Sequence, residues 1–192
     1  MQLKIKGPYI PMQSKKITIL AVPGSLRPTS TNIKLVQDIQ RWAPAEIEFV
    51  IYQDLATLPA FDDSEVEGEA VAQWRSQLAE ADGVFLCSPE YAFGVPGALK
   101  NAIDWTVRSG ELVNKPLALV TAASNGEKAH AAWLQILSAL SANIPEGGAL
   151  LIPFIKTRLN EKGEITDAAT KAAVAAVLQA LINTIEQTPA AT

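Results

Sequence analysis

Apolar residues in this chain fall into short blocks separated by longer amphipathic stretches. Five blocks read as strands: Lys16 to Val22, Ile47 to Tyr52, Gly83 to Cys87, Pro116 to Ala122 and Ala149 to Ile155. Most are continuous apolar runs, the pattern of parallel strands covered on both faces. Between them apolar positions recur every three or four residues, as on one face of a helix. Leu35, Ile39 and Trp42 mark a helix over 32–42, and Val71, Trp74 and Leu78 one over 65–81. Val95, Leu99, Ala102, Ile103 and Val107 mark a third over 95–108, with Pro96 in its first turn. Ala129, Trp133, Ile136, Leu137 and Leu140 predict a fourth over 127–142. Val174, Val177, Leu178, Leu181 and Ile182 predict a last one over 167–186, N-capped by Thr166. This alternation means βαβ units, hence an α/β fold with one five-stranded parallel sheet and helices on both faces. Five strands suit the order 2-1-3-4-5 better than the six-stranded dinucleotide order.

Composition narrows this further. The chain has 192 residues, 48% of them hydrophobic, enough for one domain with a sizeable core. We expect that domain to span 16–188, with residues 1–15 a loose extension carrying Gly7, Pro8 and Pro11. Lys plus Arg number 16 and Asp plus Glu 20, a net charge of −4, which argues against nucleic acid or an anionic membrane as partner. No uninterrupted apolar run reaches membrane-spanning length, and residues 1–16 lack the apolar segment of a signal peptide. The one cysteine, Cys87, cannot form an internal disulfide, which together with these points to a cytoplasmic setting. The one histidine, His130, has no neighbouring Cys or His to share a metal with, so no metal site is expected. The acidic stretch Leu58 to Gly68 reads as solvated loop, or as the edge of a pocket or subunit contact.

Two loops carry the chemistry. The first strand runs into Pro23 to Asn32 (PGSLRPTSTN) and then a helix. This is neither G-x-x-x-x-G-K-[ST] nor G-x-G-x-x-G. A phosphatase nucleophile is missing too, since Cys87 lies elsewhere. The loop offers the hydroxyls of Ser25, Thr29, Ser30 and Thr31, the Asn32 amide, the Arg27 guanidinium and a helix N-terminus. That set suits a phosphate monoester, because free N–H groups, the positive helix end and a guanidinium all favour a dianion. The plainer alternative is helix capping by Ser30 or Thr31. The second loop, within Ser88 to Trp105 (SPEYAFGVPGALKNAIDW), follows the third strand and is rich in Pro, Gly and aromatic residues. At the carboxyl end of a parallel strand, where α/β sheets bind ligands, it suits something flat with a polar edge.

With G-S-L-R-x-x-S-x-N over Gly24 to Asn32 and P-E-Y-x-x-x-x-P-G-x-L-K-N-A-I-D-W over Pro89 to Trp105, the chain resembles the NADPH-dependent FMN reductase family. That group includes quinone, azo-dye and chromate reductases. The resemblance spans roughly residues 16–186 and implies a flavodoxin-like three-layer sandwich. It implies bound FMN, with phosphate at Ser25, Arg27, Ser30, Thr31 and Asn32, and the ring along Pro89, Glu90, Tyr91, Ala92, Phe93 and Gly94. Ser124, Asn125 and Gly126 after the fourth strand approach the flavin in the same reading. NADPH or NADH is the co-substrate, a small molecule the acceptor, and a homodimer or tetramer the assembly. No side chain is assigned as catalytic, since hydride chemistry belongs to the cofactor. Glu90 is expected to orient its loop or pair with a cation, Lys100, Asn101 and Asp104 to form a solvated helix face, and Trp105 to pack. The chain departs from the family at Ala92, where Asn is common, at Phe93 and Gly94, where small polar residues are, and at Ser124 to Lys128, which lacks a glycine pair. Two other readings stay open: a flavodoxin-type electron carrier, which the charged Arg27 disfavours, and a flavin-free flavodoxin-like binding protein.

Overall fold

A computed structural model describes residues 16–63 and 68–188. Its sheet is parallel throughout: β1 (Ile17–Pro23), β2 (Ile47–Ile51), β3 (Gly83–Ser88), β4 (Leu117–Ala122) and β5 (Ala149–Ile152) lie in the order β2-β1-β3-β4-β5. In register, Ile19 stands opposite Phe49 on one side and Gly83 on the other. The helices are α1 (Thr31–Trp42), α2 (Glu69–Glu80), α3 (Gly97–Asp104), α4 (Glu127–Ala139) and α5 (Ala168–Gln187). Alternate strand side chains point to opposite faces. Ile19, Phe85 and Val120 therefore meet Leu35 and Ile39 of α1 and Val174 and Leu178 of α5. Leu20, Leu86 and Leu119 meet Trp74 of α2, Leu99 of α3 and Trp133 of α4 on the other face. This is the three-layer sandwich the alternating pattern predicts.

Several boundaries differ from the sequence pattern. β5 stops at Ile152, since Pro153 has no N–H to continue a ladder and Phe154 turns to φ 53°. Residues Ile155–Arg158 then form a 3-10 turn. The third helix begins at Gly97 with Pro96 as N-cap, outside the first turn. It ends at Asp104 because Thr106 turns both its N–H (3.0 Å) and its hydroxyl (2.8 Å) onto the Ile103 carbonyl. α5 is capped by Asp167, not Thr166: the Asp167 carboxylate accepts from Thr170 N–H at 2.8 Å. Thr166 instead donates its hydroxyl to Arg158 O. α5, 20 residues long with an 18-residue stretch of mean hydropathy 1.4, is long and apolar enough by composition to cross a membrane. Here Val174, Val177, Leu178 and Leu181 are buried against the sheet. The expected extension at 1–15 and the first turn predicted for the second helix, residues 65–67, lie outside the described residues.

The expected solvated face on α3 is only partly so. Lys100 and Asp104 do pair with each other. Asn101 instead holds the 58–63 loop, accepting from Phe61 N–H (2.8 Å) and donating to Pro59 O (2.8 Å). Trp105 adds an Nε1 bond to Pro59 O at 3.0 Å and meets the Phe61 ring edge-on at 5.1 Å. A polar residue read as surface is thus a loop anchor, because it sits where uncovered backbone groups need partners.

Candidate active site

Four loops converge at the carboxyl ends of β1, β3, β4 and β5. The first leaves β1 at Gly24, whose N–H donates to Cys87 O at 2.7 Å. A Cβ there would stand 2.6 Å from Leu99 Cδ2, so this loop packs closely on β3 and α3 and a larger residue would push Leu99 aside. Ser30 then caps α1, its hydroxyl accepting from Asn32 N–H at 3.2 Å. Asn32 is only 2% exposed. Its amide donates to Ala122 O at 2.9 Å and its carbonyl oxygen lies 3.5 Å from the Cys87 thiol. The start of α1 is thereby fastened over the end of β4. Burial pushes the Cys87 thiol well above its ordinary pKa, so it stays protonated and offers no nucleophile.

The loop after β3 is held from two sides. Trp133 Nε1 on α4 donates to Ser88 Oγ at 2.7 Å, and Ser88 donates on to Pro89 O at 2.9 Å. Glu90 accepts from the N–H groups of Gly126 (3.1 Å) and Ala129 (3.0 Å). It therefore orients its loop, as expected, and its partner is the positive end of α4. Tyr91 and Gly94 exchange backbone hydrogen bonds of 3.0 and 2.9 Å, closing a two-residue turn over Ala92 (φ 48°) and Phe93 (φ 59°). Positive φ at both central residues defines a type I′ turn, which prefers Asn and Gly. Phe93 is 76% exposed at its tip. The Tyr91 hydroxyl lies 2.9 Å from Ser25 Oγ and links the first two loops.

After β4 the chain passes Ser124 and Asn125 to Gly126, the N-cap of α4 at φ 96°. A Cβ there would meet Leu151 Cδ1 at 2.7 Å, so both conformation and space demand glycine. The loop after β5 is fastened to this one: Phe154 N–H donates to Ser124 O and Ile155 N–H to Ala123 O, both at 3.2 Å.

Between these loops lies a cleft of about 140 Å³. Of the residues singled out from the sequence, Arg27, Ser30, Thr31, Asn32, Pro89, Glu90, Tyr91 and Ser124 line it. Ser25 instead faces a neighbouring hollow of about 440 Å³ toward β2. Ala92, Phe93 and Gly94 form the turn beside the cleft, Asn125 is exposed, and Gly126 is buried beneath Glu90. Ala122, Ala123, Ile155 and Lys156 also line the cleft and were not legible as site residues. Ala122 read as the strand end and Ala123 as the start of the loop after it. Ile155 read as the last strand residue, which hid the turn that sets Lys156 at the edge of the cleft.

The donor set fits a phosphate: a guanidinium, an ammonium, two hydroxyls and the first turn of a helix whose N–H groups lack helical partners. The adjoining wall of Pro89, Tyr91, Ala122 and Ala123, with the Pro89 and Ala122 carbonyls already engaged, fits a flat and largely apolar ring. His130, behind the cleft on α4, sits with Nδ1 2.8 Å from the Thr121 hydroxyl, and burial lowers its pKa. Among the described residues no cluster of three His, Cys, Asp or Glu side chains offers a metal site.

Sheet order and helix layers together define a flavodoxin-like α/β fold. The family model for NADPH-dependent FMN reductase matches residues 17–157, and the chain belongs to that family, an FMN-dependent NAD(P)H oxidoreductase. It is 30% identical over 167 residues to a quinone reductase of Escherichia coli K12, covering 82% of this chain and 89% of that one. It is 33% identical over 158 residues to the NADH:(hydroxy)cinnamate reductase subunit CrdA of Vibrio ruber, covering 77% of each. Among solved structures, the flavoenzyme NAD(P)H:(acceptor) oxidoreductase FerB of Paracoccus denitrificans superposes with TM-score 0.70, covering 89% of this chain and 98% of its own at 23% identity. That likeness shows the shared fold.

Proposed function

We propose that this enzyme passes reducing equivalents from NADPH or NADH to a quinone, azo compound, metal oxyanion or free flavin by a ping-pong mechanism, with donor and acceptor visiting one site in turn. When bound, FMN supplies the hydride-accepting and hydride-donating atom. The protein residues hold and orient it. Arg27, Ser30 and Thr31 would take the phosphate at the head of α1, beside the Asn32 amide that fixes this helix over β4. Tyr91, the Pro89 backbone and Ser124 would hold the ring, and Glu90 keeps that wall rigid through α4. No acid or base is assigned a proton transfer. The observation that carries the reading is the meeting of a cationic, hydroxyl-rich helix start and a rigid apolar loop in one cleft.

Acceptor choice we assign to Phe93, which stands exposed on its turn where a flat substrate would arrive. We further propose a cytoplasmic homodimer or tetramer. The buried thiol of Cys87 suits a reducing compartment, and exposed Phe93 and Phe154 beside the cleft suit a nearby subunit contact. Steady-state rates over a grid of NADPH and quinone concentrations test the mechanism. Parallel double-reciprocal lines are expected, and lines meeting at a point would sink the ping-pong scheme.

A further inference from the structure

The connection after β5 is packed along α1. Lys34 Nζ donates to Glu161 O at 3.1 Å, and Ile165 N–H donates to Asp38 Oδ2 at 3.0 Å. Its start is pinned by buried Ile155, whose N–H is bonded to Ala123 O. The next residue, Lys156, thereby lines the same cleft as Arg27 and Thr31, although it lies far outside both sequence motifs.

The charge balance there is one-sided. Among the described residues, Glu90 is the only acidic one lining the cleft, and both its oxygens accept from the start of α4. Among the described residues, neither Lys156 nor Arg27 has a hydrogen bond or ion pair through its side chain. Two cations without a protein partner thus line one cleft with a helix N-terminus, both solvent-exposed and free to meet an incoming anion.

We infer that Lys156 is a second cationic ligand of the FMN phosphate, alongside Arg27. The inference rests on the FMN reading of the cleft. The division of labour follows from side-chain chemistry: the Arg27 fork can take two oxygens, while Lys156 supplies a flexible point charge from the turn after β5. A phosphate monoester carries about −1.5 to −2 at neutral pH, which one guanidinium leaves partly unbalanced. Together the two select a phosphorylated flavin over an uncharged one.

The test uses the full chain stripped of flavin and titrated with FMN and with riboflavin, following quenching of flavin fluorescence. For Lys156→Gln, FMN binding weakens about tenfold or more, Lys156→Glu weakens it further, and Lys156→Arg stays within about threefold of the unaltered protein. Riboflavin affinity is unchanged in all three, and FMN binding by Lys156→Gln is less salt-sensitive. Equal losses for both flavins would mean a merely structural role and overturn the inference. So would unchanged FMN affinity in Lys156→Gln when the unaltered protein binds FMN. An unaltered protein that binds neither flavin overturns the cofactor reading itself.

Discussion

Ala92 and Phe93 hold the ring loop in a conformation that neither residue favours. An L-residue in the left-handed region costs about 1–2 kcal/mol, and this turn contains two in succession. The Tyr91–Gly94 backbone pair and the Glu90 carboxylate keep it closed. Ala92→Gly is therefore expected to stabilise the protein by about 1 kcal/mol in urea denaturation, since glycine adopts positive φ without penalty. Ala92→Asn should do so by less. No change in midpoint for either would show that the turn is not strained. His130 makes a second prediction at this scale. Burial holds its folded pKa below the unfolded value near 6.5, so the unfolded chain takes up the proton first. The neutral form's contribution is complete above that value and is lost as pH falls through the folded pKa. Stability should decline below about pH 6.5, and His130→Gln should flatten the decline. An equal decline in both proteins would remove His130 as its cause.

At the level of elements, the cleft is built by cross-bracing between loops. Glu90 ties the β3 loop to α4, Asn32 ties α1 to β4, and Phe154 and Ile155 tie the β5 loop to the β4 loop. Glu90→Gln keeps the side-chain length but turns an amide donor toward an N–H group. It should cost about 1 kcal/mol of stability, the scale of a lost helix cap, and speed amide exchange at Gly126 and Ala129. Unaltered exchange at both would exclude this bracing role. These braces also explain what the sequence could and could not reveal. The strand–loop–helix sites after β1 and β3 were legible because their residue types and spacing are chemically distinctive. The partner of Glu90 was not, because it is a pair of backbone N–H groups 36 and 39 residues further along, which carry no side-chain signature. Asn101 was misread for the same reason: its partners, Pro59 O and Phe61 N–H, are backbone atoms across the fold.

For the whole molecule, the alternation of apolar runs and helical periodicity points to a parallel sheet with helices on both faces, because short parallel strands need helical crossovers of one hand, and five strands favour the order 2-1-3-4-5 found here. What alternation cannot show is how loops from distant strands meet. Lys156 was hidden in this way, since it lines the cleft from the turn that follows the early end of β5. The account's central claim is that this cleft holds a flavin which NADPH or NADH reduces and a small acceptor reoxidises. Mixing the FMN-loaded protein with each nicotinamide in the absence of oxygen, and then with one equivalent of a quinone, tests it most directly. The yellow flavin absorption is expected to bleach with at least one nicotinamide and to return in full with the quinone. A flavin that stays oxidised with both NADPH and NADH would contradict it.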